Sequence, residues 1–589
     1  MSITAAKTKS PPTPKWPVRF GLSALVAFLL AYTVLFVGPV DVVCCNQAYL
    51  SFSAGPLVAP LLGLTIAFTI VPAALVSLLR GRAWMGALAA LFALALMCYL
   101  QGLLLDGRMA SLDGSTFRWQ DDPGSAWTNL LIWLGAVALC TALGLLFPET
   151  GRVVIAVACV SCVFGQTVGL VSTIPSDSAS EYQLDGELEM TLSSGDNIVL
   201  FTLDRMSALI FETNLRYDSE LGDFLKDFEF YNNMCGEYHL TFPSLAYLAT
   251  HVHYDGTQLT ADYFHDAWNS DLCTNFYDTL HELGYDVRFY MEPSYISLTA
   301  DNMLGKVDNV AKSGTLTLTT GFLDKLFSIS LYRYVPVMLK NGFCIATADL
   351  AAEVRYDALE PVVTNGYFYD TVRSGLTLQS DTNSFVWYHL EGAHSPFTIG
   401  WDGSFLEEEP EEVTISVRVS QLHGYLLMIE EYIQQMKDLG IYDNATIIIS
   451  ADHGHYDCFM PAFLIKPAGQ TGDALTINEA PVTQQEVMPT ILSLLGRDYS
   501  DYGTTIYDWS EGDEREREIR FWRHMDEYPE ASFIGDFDQF DVVENGFTRF
   551  NVMCLERFTG GRDELMEVMN DWFYDAVADE ITPIADSFY

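Results

Sequence analysis

Two hydrophobic patterns divide the chain near Pro175. Before it, apolar residues run almost unbroken through five stretches, roughly 20–40, 54–79, 84–105, 126–147 and 153–174, with no charge inside any of them. Each is long enough for the ~20 helical residues that cross a hydrocarbon core of ~30 Å, so five transmembrane helices are expected. The first reads as a span and not as a cleavable signal, since it is long, lacks a small-residue cleavage site and is followed by four more. No span carries an acidic or basic residue at its centre, the usual mark of a proton relay or ion path. The region therefore reads as an anchor and not as a transporter.

After Pro175 the period changes. Residues 176–196 are polar and read as a linker. Short apolar runs rich in β-branched residues follow at 197–204, 287–292, 384–391, 445–452 and 462–466, and predict buried strands. Between them lie helical stretches at 206–227, 243–250, 276–284, 420–439 and 483–495. In 420–439, Leu422, Tyr425, Leu426, Ile429, Tyr432, Ile433, Met436 and Leu439 recur at spacings of three and four, and Gly440 follows as a stop. Thr483 and Glu486 have capping-box spacing. Alternating strands and helices predict an α/β domain with a mainly parallel sheet between helices. The organisation expected is a five-span transmembrane domain at 1–175, a linker at 176–196 and an α/β domain at 197–510. An acidic extension at 511–589, packed on the α/β domain, would add short strands or a lid.

Charge sharpens this division. The chain has 31 Lys and Arg against 77 Asp and Glu, a net of −46. Residues 1–175 hold nine basic and six acidic residues, a net of +3, and 176–589 hold 22 and 71, a net of −49. Nucleic acid is excluded as a partner, because phosphate binding needs clustered Lys and Arg. Lys7, Lys9, Lys15 and Arg19 precede the first span, Arg80 and Arg82 separate the second from the third, and Arg152 separates the fourth from the fifth. The opposite loops carry Asp41, Asp106, Asp113, Asp121 and Asp122, with Arg108 and Arg118 as their basic residues. Basic loops stay inside, so the expectation is a multi-pass plasma-membrane protein with its N-terminus cytoplasmic and its catalytic domain extracytoplasmic.

Chemistry in open α/β sheets collects at the carboxyl ends of strands. Here those ends carry Asp204, then His389, Glu391 and His394, then Asp452, His453 and His455. Converging carboxylates and imidazoles suit a hard-to-borderline divalent metal. Singly, each has a plainer reading: Asp204 as a helix cap, His389 as a core histidine.

Several blocks carry a family resemblance. NIVLFTLDR, HLEGAHSPF, IYDNATIIISADHGH and QQEVMPTILSLLG resemble, in this chain order, segments of the sulfatase-like branch of the alkaline phosphatase superfamily. With five spans ahead of them, the layout is similar to that of lipoteichoic acid synthases and lipid A phosphoethanolamine transferases. The resemblance covers about 197–510 in short blocks. It implies an alkaline-phosphatase-like fold with a nucleophile at the start of the helix in HLTFPSLAYLAT, where Thr241 falls and Ser244 is the alternative hydroxyl. True sulfatases have a C-x-P-x-R type motif, and Thr-Phe-Pro-Ser-Leu lacks both its Cys and its Arg. By the same resemblance Asp204, Thr241, Asp452 and His453 would ligate one Mn²⁺ or Zn²⁺. His394 would contact the phosphate or protonate the leaving alcohol, and His389 would assist it or help hold a second metal. The family often has Glu where this chain has His455.

The reading that follows is a membrane-bound transferase. It would move a phospho-head group, of phosphoglycerol or phosphoethanolamine type, from a phospholipid donor through a covalent Thr241 intermediate to a cell-surface glycan or lipid acceptor. The alternative is a metal-dependent phosphodiester or sulfate-ester hydrolase, since many transferring relatives have Glu at the first metal position and Asp204 is nearer the hydrolase type. A non-catalytic surface protein with a decayed site is the third reading. Oligomeric state stays open.

Overall fold

The computed structural model describes residues 14–50, 52–105, 119–174, 182–256, 258, 260–297, 299–345, 350, 353–364, 366–406, 410, 413–454, 460–524, 533–536, 551–559 and 562. The chain forms two compact units, 1–179 with 315–357, and 180–314 with 358–589.

Among its described residues the first unit holds five helices long and apolar enough to cross a membrane: Trp16–Cys45, Gly55–Leu78, Gly81–Leu105, Pro123–Leu146 and Pro148–Thr173. The five uncharged runs are thus five helices. The first runs past Gly38 and Pro39 because a π turn at Thr33–Val37 precedes them and makes room for the proline ring. Close packing relies on small residues. A side chain at Gly144 would meet Ala89 Cβ at 2.8 Å, which leaves glycine as the residue that lets the third and fourth helices touch. Arg19 donates from Nε to Ser77 O (3.1 Å), a carbonyl in the last turn of the second helix, where a cation meets the negative dipole end.

Residues 315–357 also belong to this unit, although the sequence pattern leaves them inside the α/β stretch. A helix at Thr320–Tyr334 is capped by Thr319, whose Oγ1 accepts from Phe322 N (3.0 Å). It turns Phe322, Leu326 and Ile329 onto Val37, Val40 and Val43. Arg333 pairs with Asp41, and Val337 N donates to Asn129 Oδ1 (3.1 Å). Asn129 Nδ2 and Trp133 Nε1 both donate to Gln101 Oε1, at 2.8 and 2.9 Å. An apolar helix face with a basic rim finds its apolar partner on the spans, and the local period carries no record of which unit supplies it.

The second unit is built on a seven-stranded sheet. Its strands are β1 (Asn197–Leu203), β2 (Glu229–Tyr231), β3 (Tyr285–Tyr290), β4 (Asn383–Leu390), β5 (Ala445–Ser450), β6 (Phe463–Lys466) and β7 (Thr476–Asn478), in the order β7-β2-β6-β5-β1-β4-β3. β1 runs parallel to both neighbours, with Thr202 opposite His389 and Ser450. β3 is parallel to β4, and β6 is antiparallel to β5 and β2. All seven residues of β1 are buried, as expected of a central strand covered on both faces. On one face, helices α1 (Ala208–Tyr217) and α4 (Ile415–Asp438) pack over Phe201, Tyr388 and Ile447. On the other, α2 (Thr241–Thr250), α3 (Asp271–Glu282) and α5 (Val487–Leu494) pack over Leu200, Trp387 and Ile448. The helix expected over 206–227 is two, broken at Asp218. Beyond the sheet, Arg517–His524, Asn551–Phe558 and Phe533–Asp536 form a three-stranded antiparallel sheet. Its first strand is tied down by Arg517, which donates to Asn233 O (2.6 Å), and by the Arg520–Glu237 ion pair (3.1 Å).

Candidate active site

Three parallel strand ends meet at one edge of this sheet. β1 delivers Asp204, β4 delivers His389, and β5 delivers Asp452 and His453; all four are buried. The strands can converge because Gly392 crosses directly over Asp204. Its φ is +53°, and a Cβ there would lie 2.6 Å from Asp204 O and 2.8 Å from Asp204 N. Glycine alone takes that path without strain.

Thr241 opens α2 beside these groups. Its Oγ1 donates to Asp204 Oδ2 (3.2 Å) and lies 3.4 Å from His453 Nε2. Phe242 just after it is non-helical (φ −87°, ψ 128°), so the regular turns of α2 begin beyond Phe242 and the Thr241 hydroxyl is turned to the strand ends. Ser244 is fully buried and donates to Tyr238 O (3.3 Å).

Carboxylate oxygens and imidazole nitrogens converge here at close range. His453 Nε2 is 3.6 Å from Asp204 Oδ1 and 3.5 Å from Asp452 Oδ2. His389 Nε2 is 3.9 Å from both Asp204 Oδ2 and Asp452 Oδ2. His453 Nδ1 lies 2.5 Å from Gly454 O, which makes Nδ1 the protonated nitrogen and turns the Nε2 lone pair toward the carboxylates. Asp204 Oδ1, Asp452 Oδ2 and His389 Nε2 are buried without a hydrogen-bond partner. Burial pushes His453 down to about 3 and His389 down to about 4. Burial and then the Asp204 charge push the Asp452 carboxyl well above its ordinary value. Acceptor atoms facing one another in a dry place are costly unless a cation joins them. Asp204, Asp452 and His453 present ligand atoms within 4.8 Å of one another and could hold a metal ion.

His394 stands near enough for Asp204 to act on it, though burial still lowers its pKa. Its Nδ1 lies 2.5 Å from Ser395 O. Gln421 of α4 fixes that loop, donating to His394 O (2.7 Å) and accepting from Thr398 N (2.8 Å). Gln484 ties the two halves of the site together. Its Nε2 donates to Asp452 O (2.5 Å) and its Oε1 accepts from Glu237 N (3.0 Å), four residues before Thr241. The Thr483–Glu486 capping box holds Gln484 in place.

The structure thus brings together Asp204, Thr241, His389, Asp452 and His453, with His394 close by. His455 lies outside the described residues. Gln421, Gln484, Arg205 and Tyr295 are not singled out by the sequence pattern. Arg205 has φ +57° and donates its N–H to Asp452 Oδ1 (3.1 Å). Tyr295 packs against His389. A rule that extends each strand end by five residues would have found Tyr295; the glutamines carry no local signal.

No family model matches the chain. It is similar to lipoteichoic acid synthase of Staphylococcus aureus, 30% identical over 182 residues that cover 26% of this chain. The match spans 28% of that relative's length, little more than a quarter. Among solved structures it is similar to lipoteichoic acid synthase LtaP of Listeria monocytogenes, with 13% identity over 56% of this chain and 79% of that one, and a TM-score of 0.33. It is also similar to a protein in the alkaline phosphatase superfamily from Vibrio parahaemolyticus, with 15% identity over 55% and 72% and a TM-score of 0.29. The similarity to lipoteichoic acid synthase, over 26% of this chain, agrees with the family resemblance stated from the sequence.

Proposed function

We propose that the chain is a membrane-bound, metal-dependent phosphotransferase with Thr241 as its nucleophile. The observation that carries this reading is the position of Thr241 Oγ1, 3.2 Å from Asp204 Oδ2 and 3.4 Å from His453 Nε2, beside a cluster of buried ligand atoms. The donor set of two carboxylates and an imidazole fits one Mn²⁺ or Zn²⁺. When bound, the ion lowers the pKa of a nearby hydroxyl and offsets phosphate charge. Asp204, Asp452, His453 and Thr241 would hold it, with His389 as a further donor.

The chain's own groups then divide the chemistry. Thr241 Oγ forms a bond to phosphorus as the bond from phosphorus to the donor alcohol breaks. Asp204 accepts the hydrogen bond from the Thr241 hydroxyl and so aims the oxygen's lone pairs away from itself. The Thr241 proton passes along that hydrogen bond to the Asp204 carboxylate and from there to solvent, while His394 takes up a proton from solvent at Nε2 and hands it to the departing alkoxide. Repetition with an acceptor hydroxyl, in reverse, restores Thr241. The five spans tether the second unit to a membrane, which favours a phospholipid donor and a glycan or lipid acceptor at the cell surface. The basic loops favour an N-terminus inside and a catalytic unit outside. Similarity to lipoteichoic acid synthase supports the same choice.

A hydrolase is the second reading, favoured by the shorter Asp204 at the first metal position. Absence of Cys and Arg from Thr-Phe-Pro-Ser-Leu weighs against sulfate esters and leaves a phosphodiester.

The test incubates the full chain in detergent with head-group-labelled phospholipid and Mn²⁺, then measures the mass of the Thr241 peptide. A transferase carries the label on Thr241, and Thr241→Ala loses both adduct and lipid turnover by ~10³-fold or more. Turnover with water as the sole acceptor, at the same rate with and without glycan, would move the assignment to the hydrolase. A bare Thr241 with no turnover and no bound metal would remove both.

A further inference from the structure

His389 has a problem of orientation. Its imidazole is 6% exposed, and its Nε2 lies equidistant from one oxygen of each buried carboxylate. Among the described residues no hydrogen bond fixes the ring, and Nε2 has no partner. A side chain whose terminal torsion is soft must be held by packing if that nitrogen is to stay between two carboxylates.

The packing comes from β3. Tyr290, its last residue, pairs with Tyr388, so the chain leaving β3 emerges beside His389. It folds at once into a short 3₁₀ turn, Pro293–Tyr295, closed by Tyr295 N donating to Glu292 O (3.3 Å). That turn packs against α2, the helix that begins with Thr241. Tyr295 then meets the His389 ring edge to face, centroids 5.7 Å apart and planes at 70°, the arrangement aromatic pairs prefer. Burial, and then the charges of Asp204, Glu292, Asp452 and Glu391, raise the pKa of the phenol.

We propose that Tyr295 is a positioning residue of the active site. Its ring holds the His389 imidazole so that Nε2 faces the Asp204 and Asp452 carboxylates, and the hydroxyl is dispensable. Its consequence for turnover rests on the phosphotransferase reading; the geometric claim does not. Tyr295 couples three elements, since β3 supplies it, α2 supports it and β4 carries the ring it steadies.

The full chain in detergent with Mn²⁺ is compared with Tyr295→Phe, Tyr295→Ala and Tyr295→Leu, the last keeping bulk should the alanine variant fail to fold. Two readouts are taken: kcat and KM for lipid head-group turnover, and hydrogen–deuterium exchange at the His389 ring carbon by mass spectrometry. Expected for Tyr295→Phe are wild-type kcat and slow exchange. Expected for Tyr295→Ala and Tyr295→Leu are a fall of about 10- to 100-fold in kcat with KM unchanged, and faster exchange at His389. Wild-type kcat and exchange in Tyr295→Ala and Tyr295→Leu would overturn the proposal. So would Tyr295→Phe behaving like Tyr295→Ala, which would give the role to the hydroxyl. Should the wild type show neither transfer nor hydrolysis, the function assigned above fails, and the exchange rates alone still decide whether Tyr295 holds His389.

Discussion

Asp204 and Asp452 set the electrostatic condition of the site. Each is buried, and each has an oxygen with no hydrogen-bond partner. Without a cation, two such carboxylates cannot both ionise freely. Asp452 is the one whose pKa rises, by burial and then by the Asp204 charge. A pKa raised above the unfolded value means stability that is fully present below about pH 4 and is lost as pH climbs through the folded value. His389 and His453 act in the opposite sense. Burial holds them at about 4 and 3, so their contribution is intact above the unfolded imidazole range and is lost on acidification toward those values. Replacing Asp452 with Asn isolates the first effect, since the amide oxygen can still accept from Arg205 N. In EDTA, Asp452→Asn should melt at the wild-type temperature near pH 4 and several degrees higher at pH 8. With Mn²⁺ the order should reverse, because the wild type gains about 2.7 kcal/mol at a hundredfold excess over Kd and the variant gains much less. Melting curves at four pH values, with and without Mn²⁺, check both signs. A gap between the two proteins that does not widen with pH would mean that the carboxylates are not competing for a proton.

At the scale of elements, convergence of the strand ends depends on Gly392. Gly392→Ala would put a methyl carbon within 2.8 Å of two Asp204 backbone atoms at φ +53°. Backbone cannot yield as a flexible side chain would, so the loop from β4 must lift from the end of β1. The expected cost is about 1–3 kcal/mol of stability, with a tenfold or greater loss of metal affinity as Asp204 and His394 separate from the rest. Denaturant unfolding and metal titration on the same variant measure both, and an unchanged metal affinity would show that the crossing is incidental to the site. This crossing also shows why parts of the molecule were legible in sequence. β1, β4 and β5 are continuous apolar runs ending in polar residues, so the strands and their chemistry could be located together, and Gly392 lies inside the HLEGAH block. α4 was legible because one face repeats at spacings of three and four. β2 and β7 are three residues each and sit at the far edge of the sheet, too short for a period to form. Gln421 and Gln484 touch residues distant in sequence and leave no local pattern, whereas Tyr295 lies five residues past the end of β3, beyond the strand end itself. Residues 320–334 show a helical apolar face, yet nothing local says that its partner is a membrane span.

Across the whole molecule, charge separates as sharply as hydropathy. Residues 1–175 carry +3 and 176–589 carry −49. Buried acids such as Glu237 and Glu486 have arginine partners, Arg520 and Arg515, but with 22 basic residues for 71 acidic ones in this stretch most acids must face solvent or one another. Such a surface keeps a protein soluble and repels its own compact state. Unpaired surface repulsion is long in range and is screened over ~10 Å at 0.1 M salt and ~3 Å at 1 M. Salt should therefore stabilise the chain in a graded manner. In EDTA, raising KCl from 0.05 to 1 M should lift the melting midpoint by roughly 5–10 °C, a few kcal/mol for a unit of this size. Manganese should add a separate rise that saturates near one ion per chain and is lost in Asp452→Asn, whereas the KCl response should persist in that variant. The two responses have different origins: one belongs to a buried cluster of three ligands, the other to the surface at large. A midpoint indifferent to KCl would mean that the acidic side chains are locally paired and that the net charge does little to the folded state. A manganese response that grows without saturation would assign the divalent effect to that same surface and take away the thermodynamic support for a resident metal at Asp204, Asp452 and His453.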